Sequence, residues 1–406
     1  MSTHRTLSAQ PIVAPDAPGQ AERDASGPGL YVHVPFCAVR CDYCDFSTGT
    51  LSAAKVERYL VAIEHELKRR APSADGIAFR SVFFGGGTPS TLSSRHFRRL
   101  WTLLRDHLAI APDAEITLEA NPETVRESLL ETWAAAGVNR LSMGAQSFDP
   151  HELRSLGRIH DAERPGIAIA MARRTGFKRL SLDLMFGYPG HTANTWAHTL
   201  ERALEIGPEH LSAYCFIPED GTPLGVALLR GEQTLPSNEQ QAERYAELQS
   251  RLEAAGYAGY ETSNFARPGA ACRHNLVYWL RREYLALGPS AHGLWGGVRY
   301  GNHYAFEAWA SALERGEACD AIEVGSADAC ADEIVMLALR LGSGLQEHDH
   351  APEHWRGVMA RYAGALAHAV TTGRLEPHGG GWRVARQHRF VADDVIAWLM
   401  ARADTA

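Results

Sequence analysis

Lysine is nearly missing from this chain. Only Lys55, Lys68 and Lys178 occur among 406 residues, so arginine carries the basic charge, and 48 acidic against 40 basic residues leave a formal charge of −8. That balance excludes a general nucleic-acid binder, which needs a basic face to neutralise phosphates. The lysine shortage itself reads as compositional bias and carries no phosphate-binding signal. Long apolar runs are also missing. No stretch approaches the roughly 18 consecutive apolar residues of a membrane span, which excludes an integral membrane segment and leaves room only for peripheral membrane contact. Cysteine is scarce, with seven residues at 37, 41, 44, 215, 272, 319 and 330. An odd, mostly isolated set with no secretory segment before it argues against a disulfide framework.

What is present is enough apolar content, 45%, to bury one large core or two. Residues 1–28 are rich in Ala, Pro, Gly and Ser, and Asp16, Glu22 and Asp24 fit a transit peptide poorly, so they read as a disordered tail. From Leu30 short apolar strands alternate with amphipathic helical stretches, the pattern of parallel βα units. Strands are expected near 30–34, 80–84, 115–119, 138–144, 179–186 and 210–217. Helices are expected near 53–70, 94–108, 125–136, 161–175, 192–206 and 238–255. Six units are too few for a closed eight-stranded barrel, so the expected fold class is α/β, a partial (βα)6 barrel over 29–255. Residues 256–324, rich in Gly and aromatics, read as an irregular connecting segment covering the barrel, with one strand at 257–262. Over 325–406 the pattern changes to helices, a strand at Trp382 and a terminal helix N-capped by Asp393, which suggests a small winged-helix-like domain. Eight Arg against ten Asp and Glu give that domain a charge of −2, so it is read as a lid or docking surface and not a DNA reader.

The chemistry gathers after the first strand. Cys37, Cys41 and Cys44 stand at C-x3-C-x2-C spacing in one short loop. Three close thiolates can hold three corners of a [4Fe-4S] cluster and leave the fourth iron open, whereas structural zinc wants a fourth ligand and no second knuckle follows. An open iron can take the amino and carboxylate groups of S-adenosylmethionine (SAM). Downstream, Phe83-Phe84-Gly85-Gly86-Gly87-Thr88-Pro89 follows the second strand, Leu118-Glu119-Ala120-Asn121-Pro122 the third, Ser142-Met143-Gly144-Ala145-Gln146 the fourth and Leu182-Asp183 the fifth, with Arg158 between the last two. Glycines let a backbone approach a ligand closely, and a polar residue at a strand end lies where parallel α/β sheets collect their sites.

In this order the motifs resemble the radical SAM superfamily, in its oxygen-independent coproporphyrinogen-oxidase-like branch, from about Tyr31 to the chain end. The resemblance implies cluster ligation by Cys37, Cys41 and Cys44, and a SAM pocket shaped by Tyr31, Tyr43, Gly86, Gly87, Thr88, Glu119, Gln146, Arg158 and Asp183. It also implies that residues 325–406 are the carboxyl-terminal domain of that branch, and that Gly288 to His292 form another SAM-site loop. Two members of the branch then compete. The coproporphyrinogen III dehydrogenases, which convert that porphyrinogen to protoporphyrinogen IX by oxidative decarboxylation, carry a further cysteine where this chain has Phe46, and a longer amino-terminal extension. The haem chaperones carry C-x3-C-x2-C-x-F and an H-N-x-x-Y-W segment, matched here by His274-Asn275-Leu276-Val277-Tyr278-Trp279. The second resemblance implies haem as a further cofactor, held by His274, Tyr278 and Trp279. An imidazole can ligate haem iron and the aromatic pair can cover its plane, while the plainer reading makes all three core residues. It also implies haem-acceptor proteins as partners, and it leaves room for a homodimer. A thiolate-held cluster belongs in a reducing compartment, so the expected location is the cytoplasm. Cys215, Cys272, Cys319 and Cys330 read as plain thiols, and the His348, His350 and His354 group as solvated.

Overall fold

The computed structural model describes residues 27–323 and 325–403. All but the last two residues of the expected tail lie outside this range. Six strands, β1 (Gly29–Val34), β2 (Ala78–Gly86), β3 (Ala109–Ala120), β4 (Arg140–Gln146), β5 (Arg179–Phe186) and β6 (His210–Cys215), pair in chain order, all parallel. Parallel neighbours need crossovers. Helices α1 (Ala53–Arg70), α2 (Ser94–His107), α3 (Glu127–Ala135), α4 (Arg164–Arg174) and α5 (Ala193–Ile206) supply them, and α6 (Asn238–Ala254) follows β6. Their limits are written in the sequence. Ser52 caps α1 and Ser93 caps α2, Thr192 with Thr195 and Ser237 with Gln240 close capping boxes, and Gly207 ends α5 at φ 60°; such caps contribute about 1 kcal/mol each.

Residues 256–324 depart from expectation. They extend the sheet at both edges: β7 (Ala258–Gly259) and β8 (Asn264–Ala266) add antiparallel beyond β6, while β9 (Tyr284–Leu287) pairs parallel with β1. Strands β10 (His292–Trp295), β11 (Val298–Asn302) and β12 (Asp320–Glu323) continue antiparallel from β9. The sheet therefore runs β12-β11-β10-β9-β1-β2-β3-β4-β5-β6-β8-β7, and β1 is an interior strand. The segment also holds α7 (Arg273–Trp279), which carries the H-N-x-x-Y-W residues, and α8 (Phe306–Glu314).

The carboxyl-terminal part has its own core, with Ile334, Val335, Val358, Tyr362, Leu366, Ile396 and Leu399 buried together. It is built from α9 (Ala327–Ala338), α10 (Pro352–Thr371), the hairpin β13 (Leu375–His378) and β14 (Gly381–Val384), and α11 (Ala392–Met400). Helices followed by a hairpin and a helix fit the winged-helix-like expectation. Asp393 is not the N-cap: Val391 holds that position, and Asp393 sits in the first turn of α11, paired with Arg340. The domain is seated on the sheet by Phe390, 5.2 Å from the Tyr245 ring and 6.4 Å from Phe186, and by Arg389, which donates to the carbonyls of Gly259 and Glu261.

Candidate functional site

A cavity of about 610 Å³ opens at the carboxyl ends of β1–β6. Its wall takes a residue from each strand or the loop after it, because successive strand ends of a parallel sheet converge on one rim. Tyr31, Cys37, Cys41, Tyr43, Cys44, Gly86, Gly87, Thr88, Glu119, Gln146, Arg158, Asp183 and Tyr278 all line it. Trp279 lines a neighbouring cavity, and His274 lines neither.

The cysteine loop is closed at its stem by Phe36–Cys37 pairing in parallel with Gly49–Thr50. The glycine run is laced to that stem: the Gly87 amide donates to Val34 O at 2.9 Å and Thr88 to Phe36 O at 2.7 Å. A Cβ on Gly87 would lie 2.8 Å from both carbonyl oxygens, and one on Gly86, at φ 103°, would lie 2.5 Å from the His33 ring. Both positions therefore require glycine for packing. Thr88 Oγ1 reaches Cys37 Sγ at 3.3 Å and accepts from Asn121 Nδ2 at 3.3 Å. Arg158 joins the loop to the rim: Nη1 meets Cys41 Sγ at 3.4 Å, and Nη2 donates to Asn121 Oδ1 at 3.0 Å and Gly144 O at 2.8 Å.

Electrostatics follow from burial. Burial pushes the Cys37 thiol up and the Cys44 thiol to about 11, so thiolates here call for a cation. Glu119 Oε2 accepts from the Gly86 amide at 3.2 Å; burial, and next the charge of Asp183, raise its carboxyl to about 8. Asp183 is raised by burial too, against hydrogen bonds from Ser212 and Ser142, the latter at 2.9 Å. Burial likewise raises the Tyr31 and Tyr43 hydroxyls. Gln146 sits at φ 65°, where β4 slips register against β5 between Gly144 and Gln146. A non-glycine residue in that region marks local strain of a kind found at functional sites.

The donor set fits a cluster and a polar ligand. Cys37, Cys41 and Cys44 are free, half-buried thiols. Among the described residues no group of three or more His, Cys, Asp and Glu could hold a single metal ion. Ligands of a cluster bind different irons and stand further apart than ligands of one ion. On the cavity wall Thr117 Oγ1, Arg140 Nη1 and Arg158 Nε are buried without a partner among the described residues. Such orphaned donors suit a ligand rich in acceptors, as SAM is. Residues Cys37, Cys41 and Cys44 would hold the cluster, and Glu119, Asp183 and the glycine run would face SAM. When bound, the pair supplies one-electron cleavage chemistry.

The aromatic segment behaves differently from its expected role. His274 is 0% exposed; its Nδ1 contacts Ser81 Oγ at 2.9 Å and its Nε2 contacts Tyr278 OH at 2.8 Å. Both ring nitrogens meet hydroxyl partners in the core, and burial lowers its pKa to about 3, so as placed the neutral ring supports Tyr278. Gly288 to His292 also lie off the cavity wall. The Gly288 amide is instead held by the buried Glu66 at 2.8 Å.

Several site residues escaped sequence reasoning. His33 accepts from Tyr31 OH at 3.1 Å and, through Nε2, donates to Ser47 O at 3.1 Å, so it ties the first strand to the far side of the cysteine loop. Burial lowers it to about 4 and keeps it neutral. Arg140 is buried with Glu115 at 3.0 Å and donates to Ala270 O and Ala271 O, fastening the segment before α7 beneath the cavity. Alternation along β1 and β4 puts both residues in the sheet interior, where a charged residue without a partner in sequence is itself a signal.

Residues 31–203 match the Radical SAM superfamily. The chain is 37% identical over 397 residues to a Mycobacterium tuberculosis protein named Heme chaperone HemW, spanning 95% of this chain and 98% of that one. To the Heme chaperone HemW of Bacillus subtilis it is 33% identical over 369 residues, 90% of this chain and 97% of the other. Among solved structures, coproporphyrinogen III oxidase (HemN) from Escherichia coli, described as a radical SAM enzyme, superposes with a TM-score of 0.78 at 26% identity, covering 94% of this chain and 93% of that one. With its strand-end cavity, its cysteine loop and full-length relatives above 30% identity, the chain belongs to the HemW family of the radical SAM superfamily.

Proposed function

We propose that this protein is a haem chaperone that carries a [4Fe-4S] cluster and SAM at the strand-end cavity, binds haem beside it and passes haem to an acceptor protein. The reading draws on the names of the relatives that match nearly the whole chain. The observation that carries it is at Phe46, where the porphyrinogen-oxidising branch would place a further cysteine: the residue is 59% exposed at the cavity mouth. An apolar, open lip suits a flat apolar cargo entering and leaving. In this role His33, Thr88 and Arg158 hold the cysteine loop, Glu119 and Asp183 face a cationic ligand, and Tyr278 and Trp279 offer aromatic surface to haem. No helix among the described residues is long and apolar enough to cross a membrane; cytoplasmic location, a homodimer and peripheral membrane contact belong to the proposal.

The likeness to coproporphyrinogen III oxidase favours a second reading, coproporphyrinogen III dehydrogenase. One anaerobic experiment separates them. The cluster is reconstituted, haem is titrated by absorbance, and coproporphyrinogen III is supplied in parallel with SAM and a reductant. The chaperone reading expects stoichiometric haem binding and no protoporphyrinogen; turnover of coproporphyrinogen would sink it.

A further inference from the structure

A second cavity of about 340 Å³ lies in the seam between the sheet and the carboxyl-terminal domain. Tyr214, Asn275 and Tyr278 line both cavities, so the two share a wall. The seam cavity joins aromatic faces, Trp279 and Phe390, to polar groups, Glu261 and Asn264. Asn264 Oδ1 is buried without a partner among the described residues. Arg340 is the single cationic residue among the described residues that line it, and it comes from the other domain.

Arg340 is aimed but lightly held. Its guanidinium lies 5.9 Å from the Trp279 ring centre, and Nη1 donates to Met336 O at 3.1 Å. Nε and Nη2 both reach the same oxygen of Asp393, at 3.0 and 2.8 Å. The Asp393 side chain is 74% exposed, and an ion pair so open to water is weak. Asp393 can turn outward and still sit in the first turn of α11, where a carboxylate is favoured by the helix dipole. Met336 and Trp279 would keep the guanidinium in place. A ligand carboxylate can then take the vacated side, and bidentate arginine–carboxylate pairing is the stronger geometry.

We propose that the seam cavity receives the carboxylate-bearing edge of a flat tetrapyrrole, with Arg340 exchanging Asp393 for a ligand propionate. This rests on the haem-binding reading above. It assigns the carboxyl-terminal domain a direct part in holding cargo, next to but separate from the SAM-facing carboxylates.

The test compares haem with haem dimethyl ester, which lacks free carboxylates, on the full-length, cluster-reconstituted protein under anaerobic titration. Arg340→Gln should weaken haem binding about tenfold or more and the ester less than about twofold, because only haem loses a charge-assisted contact. Asp393→Asn, which releases the guanidinium on an exposed surface, should tighten haem about threefold and serves as the second variant should Arg340→Gln disturb folding. Equal losses for haem and ester, or haem affinity unchanged in both variants, overturn the assignment while haem binding stands. Absence of haem binding by the unaltered protein overturns the chaperone reading with it.

Discussion

Glu119→Gln probes whether the carboxyl over the glycine run stays neutral until a cation arrives. Its folded value of about 8 stands well above the ordinary 4.5, chiefly through burial. Between those values the folded protein keeps a proton that the unfolded chain gives up. Stability contributed at low pH is therefore lost as pH rises from 4.5 through about 8. At ~1.4 kcal/mol per pH unit the ionisable carboxyl costs the ligand-free protein roughly 3 kcal/mol at pH 7 and about 5 kcal/mol above pH 8. These are upper limits, since the open cavity admits water to one side of the group. Glutamine stays neutral at every pH, so the variant should gain stability relative to the parent as pH increases. A cationic ligand beside the carboxyl reverses its preference and expels the proton: SAM binding at pH 7 should release about 0.9 proton, and about half a proton at pH 8. Anaerobic calorimetry in two buffers of different ionisation heat reads this directly, and Glu119→Gln should lower it by that amount, leaving only what the buried Asp183 gives up. A stability gap between the two proteins that stays constant from pH 5 to 8, or proton release undiminished by the substitution, would refute the reasoning.

Gly87→Ala should place a methyl group against the Val34 and Phe36 carbonyls and push the Thr88 loop away from Cys37. The expected loss is about 1–3 kcal/mol by urea denaturation, with lower iron content after reconstitution; normal iron loading would contradict the packing role. His274→Ala should cost roughly 2–4 kcal/mol by leaving Ser81 and the Tyr278 hydroxyl unpaired in the core. The Soret maximum of bound haem should not move, because the imidazole supports Tyr278 without touching iron; a Soret shift at unchanged stability would make it a ligand instead.

The six βα units were legible because each strand is a short, mostly apolar run bounded by turn residues, and four of the six helices begin at a Ser or Thr cap. The sheet edges were not, since β7 has two residues and β8 three, too short for any periodicity to register. One missed signal was present: Gly296-Gly297 between Trp295 and Val298 is the two-residue hairpin that joins β10 to β11, with both glycines at positive φ. At the site, the cysteines and glycines declared themselves through spacing. His33, Arg140 and Asn121 did not, because their partners lie across strands and loops. The partner of Arg140 at Ala270, for example, is set by tertiary packing alone. The H-N-x-x-Y-W segment was recognised as a unit, yet α7 turns its histidine into the core and its last two residues toward the cavities.

The position of β1 has a consequence in time. The strand that leads into the cysteine loop is flanked on one side by β2 and on the other by β9, whose residues Tyr284 to Leu287 lie some 250 positions later. The loop itself is braced at Ser47 and Asp45 by the backbone and hydroxyl of Tyr304. On a ribosome, which releases the chain from its amino end, the three cysteines emerge long before the segment that fixes their surroundings. Iron delivered early would meet a loop with one neighbour missing. The surroundings of the three cysteines are thus complete only once residue 304 has been made, so a cluster held there would find its full support only after the sheet has closed around its first strand.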